Sequence, residues 1–150
     1  MNTPALIRFL EQIENVHFVV IWGREKERVI GESLQKALKS CTLIDQLSIP
    51  VLQNLMTHFD LVIGMDSLPL HLAATTSTPT FSIFGASSAR KYQPGGDRHA
   101  SYQGSCPYQK TFEKRCPILR TCPTGACIRS LTGEEVLVRF LATDCIKHQN

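Results

Sequence analysis

The chain has 150 residues, of which 43% are apolar and 19% charged, the length and composition of one ordinary globular domain with a core of its own. A net charge of +3 on scattered basic residues gives no reason to expect a nucleic-acid partner, and Arg24, Lys26 and Arg28 alternate with acids as on a solvated helix face. No apolar run reaches the roughly 18 residues that suggest a membrane span.

Thr3 followed by Pro4 marks a helix start, because proline at the first helical position gives up no needed hydrogen bond. Leu6, Ile7, Leu10 and Ile13 then share one face. His17 to Trp22 reads as a buried strand that ends at Gly23. A helix follows to about Ser40, with Ile30, Leu34, Ala37 and Leu38 inward. Cys41 to Asp45 is a second strand. Val51, Leu52, Leu55, Met56 and Phe59 mark an amphipathic helix, and Asp60 to Met65 a third strand. His71 to Ser77 is expected as a short helix and Thr80 to Gly85 as a fourth strand. Ala86 to Thr132, rich in proline and glycine and holding four of the six cysteines, reads as an irregular excursion. Thr132 and Glu135 form a capping box for a last helix that buries Val136, Leu137, Phe140 and Leu141. Strands apolar on both faces, separated by helices, predict an α/β fold: a Rossmann-like parallel sheet with helices on both sides, in a single domain over 1–150.

Ligands of such sheets bind beyond the C-terminal strand ends, so three turns are candidates. In Asp66-Ser67-Leu68-Pro69-Leu70-His71 a helix N-terminus offers amides to a phosphate. Ser67 adds a hydroxyl, His71 points back from one turn on, and Asp66 suits a sugar hydroxyl. Capping by Asp66 or Ser67 is the plainer alternative. After Trp22, Glu25 or Glu27 could hold a ribose or merely complement the helix dipole. After Phe84, Gly85 permits close approach of a ligand or forms an ordinary turn.

Together these turns, in the stretch DLVIGMDSLPLHLAATTSTPTFSIFGASSARKYQPGG, resemble glycosyltransferase family 9, the ADP-heptose:lipopolysaccharide heptosyltransferases. Cys127-Ile128 and Leu131-Thr132-Gly133-Glu134-Glu135-Val136 are similar to the tail of many members. The resemblance runs from about Ile7 to Leu141. It implies the C-terminal, donor-binding half of a GT-B architecture. There Asp66, Ser67, Leu68, His71, Glu27 and Gly85 would line the site for ADP-heptose or a similar nucleotide sugar. Leu68 stands where the family usually has glycine. The resemblance further implies that the catalytic base, and a lysine that neutralises the diphosphate, belong to a first half this chain lacks. No catalytic residue is therefore expected here, and the chain alone should show no turnover. The lipopolysaccharide-core acceptor would meet a separate N-terminal domain. The other reading is a non-catalytic nucleotide-binding or interaction module.

No cofactor is expected, and no metal. Cys106, Cys116, Cys122 and Cys127 are separated by nine, five and four residues, without the tight pairs usual at zinc sites. The N-terminus has no basic-then-apolar secretion pattern. A cytoplasmic chain with reduced thiols is expected, working at the inner-membrane surface if it serves lipopolysaccharide.

Overall fold

Residues 1–143 are described by a computed structural model; Cys145 and the rest of 144–150 lie outside the described residues. The elements follow in the order α1 (Thr3–Glu11), β1 (Phe18–Val20), α2 (Glu25–Ala37), β2 (Cys41–Leu43), α3 (Ile49–Met56) and β3 (Val62–Met65). Then come α4 (Leu68–Ala74), β4 (Thr80–Phe84), α5 (Ala89–Tyr92), β5 (His99–Gln103), α6 (Ala126–Arg129) and α7 (Gly133–Leu141). β1 and β2 pair in parallel; β3, β4 and β5 form a parallel sheet with β4 in the middle.

The burial of β4 explains the layering. Every residue of Thr80–Phe84 is buried, and successive side chains point to opposite faces. Phe81 and Ile83 enter a cluster with Phe9 and Leu10 of α1, Leu34 and Leu38 from the α2 side, and Val136 and Phe140 of α7. Phe9, Phe81 and Phe140 meet as tilted and edge-on rings, with Phe81 and Phe140 centroids 5.1 Å apart. On the other face Phe84 packs with Leu70 of α4 and Ala89 of α5. A neighbouring cluster joins Leu52 and Met56 of α3 to Leu72 and Ala73 of α4. The α/β fold therefore has helices on both faces of parallel strands. Ser82 and Thr80 are the polar residues on this strand. Ser82 Oγ donates to the Ala100 carbonyl at 3.1 Å, and Thr80 Oγ1 lies 3.0 Å from His99 Nδ1.

Several expectations need correction. Asn2, not Thr3, caps α1, its side chain accepting from the Ala5 amide at 2.9 Å. The inner face of α2 is Gly31 and Leu34, continued by Leu38 just past its end, while Ile30 and Ala37 are exposed. Gly31 lies so close to β2 that a Cβ on it would meet Leu43 Cδ1 at 2.5 Å. The helix expected at His71–Ser77 starts earlier, at Leu68, and ends at Ala74. Leu141 is exposed although α7 keeps its capping box, with Thr132 Oγ1 accepting from the Glu135 amide and Glu135 accepting from the Thr132 amide. The excursion after β4 is not irregular throughout, for it supplies α5, α6 and the edge strand β5. Among the described residues no helix is long and apolar enough to cross a membrane.

Phe140 is 1% exposed and touches both other rings of the aromatic cluster. Truncation there removes apolar contact and leaves a cavity that α1 and β4 cannot both fill. Phe140→Ala should cost about 3–5 kcal/mol in urea unfolding. A loss below about 1 kcal/mol would mean that α7 does not close this core.

Candidate functional site

β3 ends at Met65, and the chain turns through Asp66 and Ser67 into α4. Ser67 occupies the N-cap position with extended backbone but makes no cap; its Oγ donates instead to the Met65 carbonyl at 3.2 Å. Asp66 does not cap the helix either. Its Oδ1 lies 3.1 Å from His71 Nε2, across the first turn. The first-turn amides of Leu68 and Leu70 thus have no intrahelical acceptor and no side-chain cap, while Pro69 has no N–H to give. The Asp66 side chain is 19% exposed and that of His71 45%, so a sheltered carboxylate steadies an accessible imidazole. Leu68 projects outward at 58% exposure and borders the turn. Proton placement on His71 follows from its partner: a neutral ring donating from Nε2 to Asp66 keeps an acceptor on Nδ1, and a charged ring donates from both nitrogens.

The same sheet end carries the turn after β4. In register, Met65 lies beside Ile83, and Phe84 beside Gln103. Gly85 begins that turn, but the chain itself fills the space beside it. A Cβ on Gly85 would collide with Ile128, its Cδ1 at 2.8 Å and its Cγ1 nearer still. The closeness that glycine permits is taken up by α6. Other bonds fix this turn. The Cys116 amide donates to the Ala86 carbonyl at 2.7 Å and the Ser88 amide to the Lys114 carbonyl at 2.8 Å. Gln103 accepts from the Ala89 amide at 2.8 Å and donates to the Gly85 carbonyl at 2.9 Å. The sequence carried no signal for this role of Gln103.

Glu27 is engaged elsewhere. Its Oε2 accepts from the amides of Gly23 at 2.8 Å and Arg24 at 3.1 Å, closing the turn between β1 and α2. Gln46 Nε2 donates to the Gly23 carbonyl at 2.6 Å on the same turn. No hydrogen bond among the described residues joins Glu27 to Asp66, Ser67, Leu68 or His71. Glu25 makes an exposed pair with Arg28, at 3.7 Å. The structure therefore brings Asp66, Ser67, Leu68 and His71 together, places Gly85 one strand away under Ile128, and leaves Glu27 in a capping contact. A separate polar hollow of about 430 Å³, lined by Pro50, Gln53 and Thr75 among others, lies off α3 and the turn before β4, away from these strand ends.

Sequence spacing also left unseen a convergence of thiols beside Gly85. Cys106, Cys116, Cys122 and Cys127 line one cavity of about 240 Å³. Burial pushes the Cys127 thiol up, and the other three cysteines add to the effect. The amides of Gly125 and Thr124 hold Cys122 below the usual thiol range.

Residues 4–121 match the profile of glycosyltransferase family 9 (heptosyltransferase). Over 52 residues the chain is 40% identical to lipopolysaccharide heptosyltransferase 3 of Escherichia coli, a match that covers 35% of this chain and 15% of that protein. No solved structure matches.

A buried glycine seated against a side chain should tolerate no methyl unless that side chain yields. Gly85→Ala is expected to destabilise the fold by about 1–3 kcal/mol. Shortening Ile128 to alanine in the same chain should recover part of that loss, as a double-mutant cycle in urea would register. Strictly additive losses would mean that Gly85 and Ile128 do not compete for this space.

Proposed function

The chain belongs to glycosyltransferase family 9, and from that premise we propose that it is the donor-binding domain of a heptosyltransferase, seating a nucleotide-activated heptose at the turn from Asp66 to His71. The observation that carries the reading is the Asp66–His71 contact at the head of α4, at the end of a parallel strand. A carboxylate that holds the ring by Nε2 orients the imidazole. A protonated His71 would face the diphosphate as a cation, and the uncapped amides of Leu68 and Leu70 would add donors. The second oxygen of Asp66 would accept from a sugar hydroxyl. Glu27 keeps one candidate role, through its outer oxygen, toward the ribose. Gly85 contributes by letting α6 form a close wall rather than by touching the ligand.

The reaction is inverting sugar transfer. A base removes the proton of an acceptor hydroxyl, the freed oxygen attacks the anomeric carbon, and the bond to the diphosphate breaks. The electron pair passes to the departing phosphate oxygen, where His71 and the helix amides offset the new charge. The base and the lipopolysaccharide-core acceptor would come from outside this domain. The match to lipopolysaccharide heptosyltransferase 3 spans 15% of that protein's length. Such an enzyme would work on the cytoplasmic side of the inner membrane.

Leu68 favours a second reading, a nucleotide-binding or interaction module without turnover. An exposed leucine at the first helical position crowds the approach where glycine would leave it open.

Calorimetry on the purified chain separates a retained nucleotide site from an interaction module. ADP should bind and UDP bind more weakly, and His71→Ala should weaken ADP about tenfold, near 1.4 kcal/mol. Leu68→Gly should tighten it. Heat from neither nucleotide, in the wild type and in Leu68→Gly alike, would remove the donor site and leave the interaction module.

A further inference from the structure

Not one residue from Ser105 to Ser130 is buried. A stretch of that length without an apolar core of its own ordinarily needs a covalent or metal staple to hold one shape. This one nevertheless makes specific contacts: the Ala86–Cys116 and Ser88–Lys114 bonds, the bridge of Ser87 to Arg115, and Ile128 on Gly85. What converges inside it is sulfur, because the four cysteines line a single cavity.

Their local setting repeats. Cys106, Cys116 and Cys122 are each followed by proline, which fixes φ for a tight turn. In the first two turns the amide three residues on returns to the cysteine carbonyl, Gln109 to Cys106 at 3.0 Å and Leu119 to Cys116 at 3.2 Å. In the third the Gly125 amide goes to the sulfur itself, 3.3 Å from Cys122 Sγ, with Gly125 at φ 59°. An N–H aimed at sulfur favours the thiolate, the form in which cysteine ligates a metal. Cys127 follows on α6.

We propose that Cys106, Cys116, Cys122 and Cys127 bind one thiolate-preferring metal ion, zinc or iron, which staples 105–130 onto the C-terminal ends of β4 and β5. Four sulfurs in tetrahedral array select these ions over oxygen-seeking cations. Among the described residues no three such side chains stand ready to hold a metal, so binding must draw the sulfurs inward across the cavity they line. Each ligating thiol releases its proton to solvent as it binds. The site is read from this chain's own geometry: the cavity that the four cysteines line and the turns that carry them. It departs from the expectation of no metal, for which the spacing of the cysteines was the ground.

The test is elemental analysis of the full chain, made in zinc- and iron-supplemented medium and purified under reductant without chelator. About one metal ion per chain is expected, colourless if zinc and visibly absorbing if iron. The double variant Cys122→Ser with Cys127→Ser should lose at least about nine-tenths of it, as half the ligands are gone. Wild-type protein stripped and refilled with cobalt gives a readout independent of how that variant folds. It should acquire thiolate charge-transfer bands and tetrahedral ligand-field bands, and regain resistance to proteolysis within 105–130. Wild-type protein that takes up neither native metal nor cobalt overturns the site. So does full retention of metal by the double variant, or an intact mass lacking the four thiol hydrogens, which would assign these sulfurs to disulfides.

Discussion

The whole arrangement depends on β4 being buried on both faces and paired on both sides. A strand so placed must be apolar or internally satisfied at every position, and Thr80–Phe84 meets that demand with two phenylalanines, an isoleucine and two hydroxyls that find partners. Phe81 and Ile83 commit one face to α1, α2 and α7, and Phe84 commits the other to α4 and α5. Register then fixes where β3 and β5 end relative to β4. The positions of Asp66, Gly85 and Gly104 follow from that register rather than from any contact among the three.

At this shared edge the chain divides its turns between two uses. The turn after β3 leaves its helix amides uncapped and spends its carboxylate on a histidine, an arrangement that forgoes stability on the order of 1 kcal/mol that an N-cap supplies. The turn after β4 does the opposite. Its backbone groups bond to 114–116 and to Gln103, and its glycine is occupied by Ile128. The proposed donor site would use both: donors from the open polar turn and a rigid wall from the locked one.

Much of this was legible in the residues. Runs such as Val62–Met65 and Thr80–Phe84 carry enough apolar character to mark strands, and Thr132 with Glu135 marked α7. β5 escaped because His99–Gln103 is half polar; an edge strand has one neighbour and is only partly buried, so its sequence need not be apolar. The inner face of α2 was misjudged because Gly31 packs by having no side chain, which a hydrophobic pattern cannot register. Asp66 and His71, five positions apart, were visible as candidates, whereas their mutual contact needed the helix to start at Leu68. Glu27 was visible as an acid after a strand, but its capping contact depends on how Gly23 and Arg24 turn. The thiol cluster was hidden for another reason. Spacings of nine, five and four residues match no tight-pair pattern, and only the fold of 105–130 brings the sulfurs to one cavity.

The cysteine segment and the C-terminal ends of β4 and β5 are mechanically one structure. A Cβ on Gly104 would strike the Cys127 carbonyl, and one on Gly85 would strike Ile128. Two adjacent strands thus end in residues without side chains, and the same short helix presses on both. Close packing transmits small displacements, so whatever fixes Cys127 also fixes the wall beside the turn after β3. With no buried residue from Ser105 to Ser130, the apolar contact that holds α6 in place is the half-buried Ile128, against Gly85 and the edge of the main core cluster. One half-buried side chain is a weak anchor for so long a stretch. Four sulfurs drawn together in the cavity they line beside that helix would complete it, and the stability of the segment would then set the rigidity of the turn after β4.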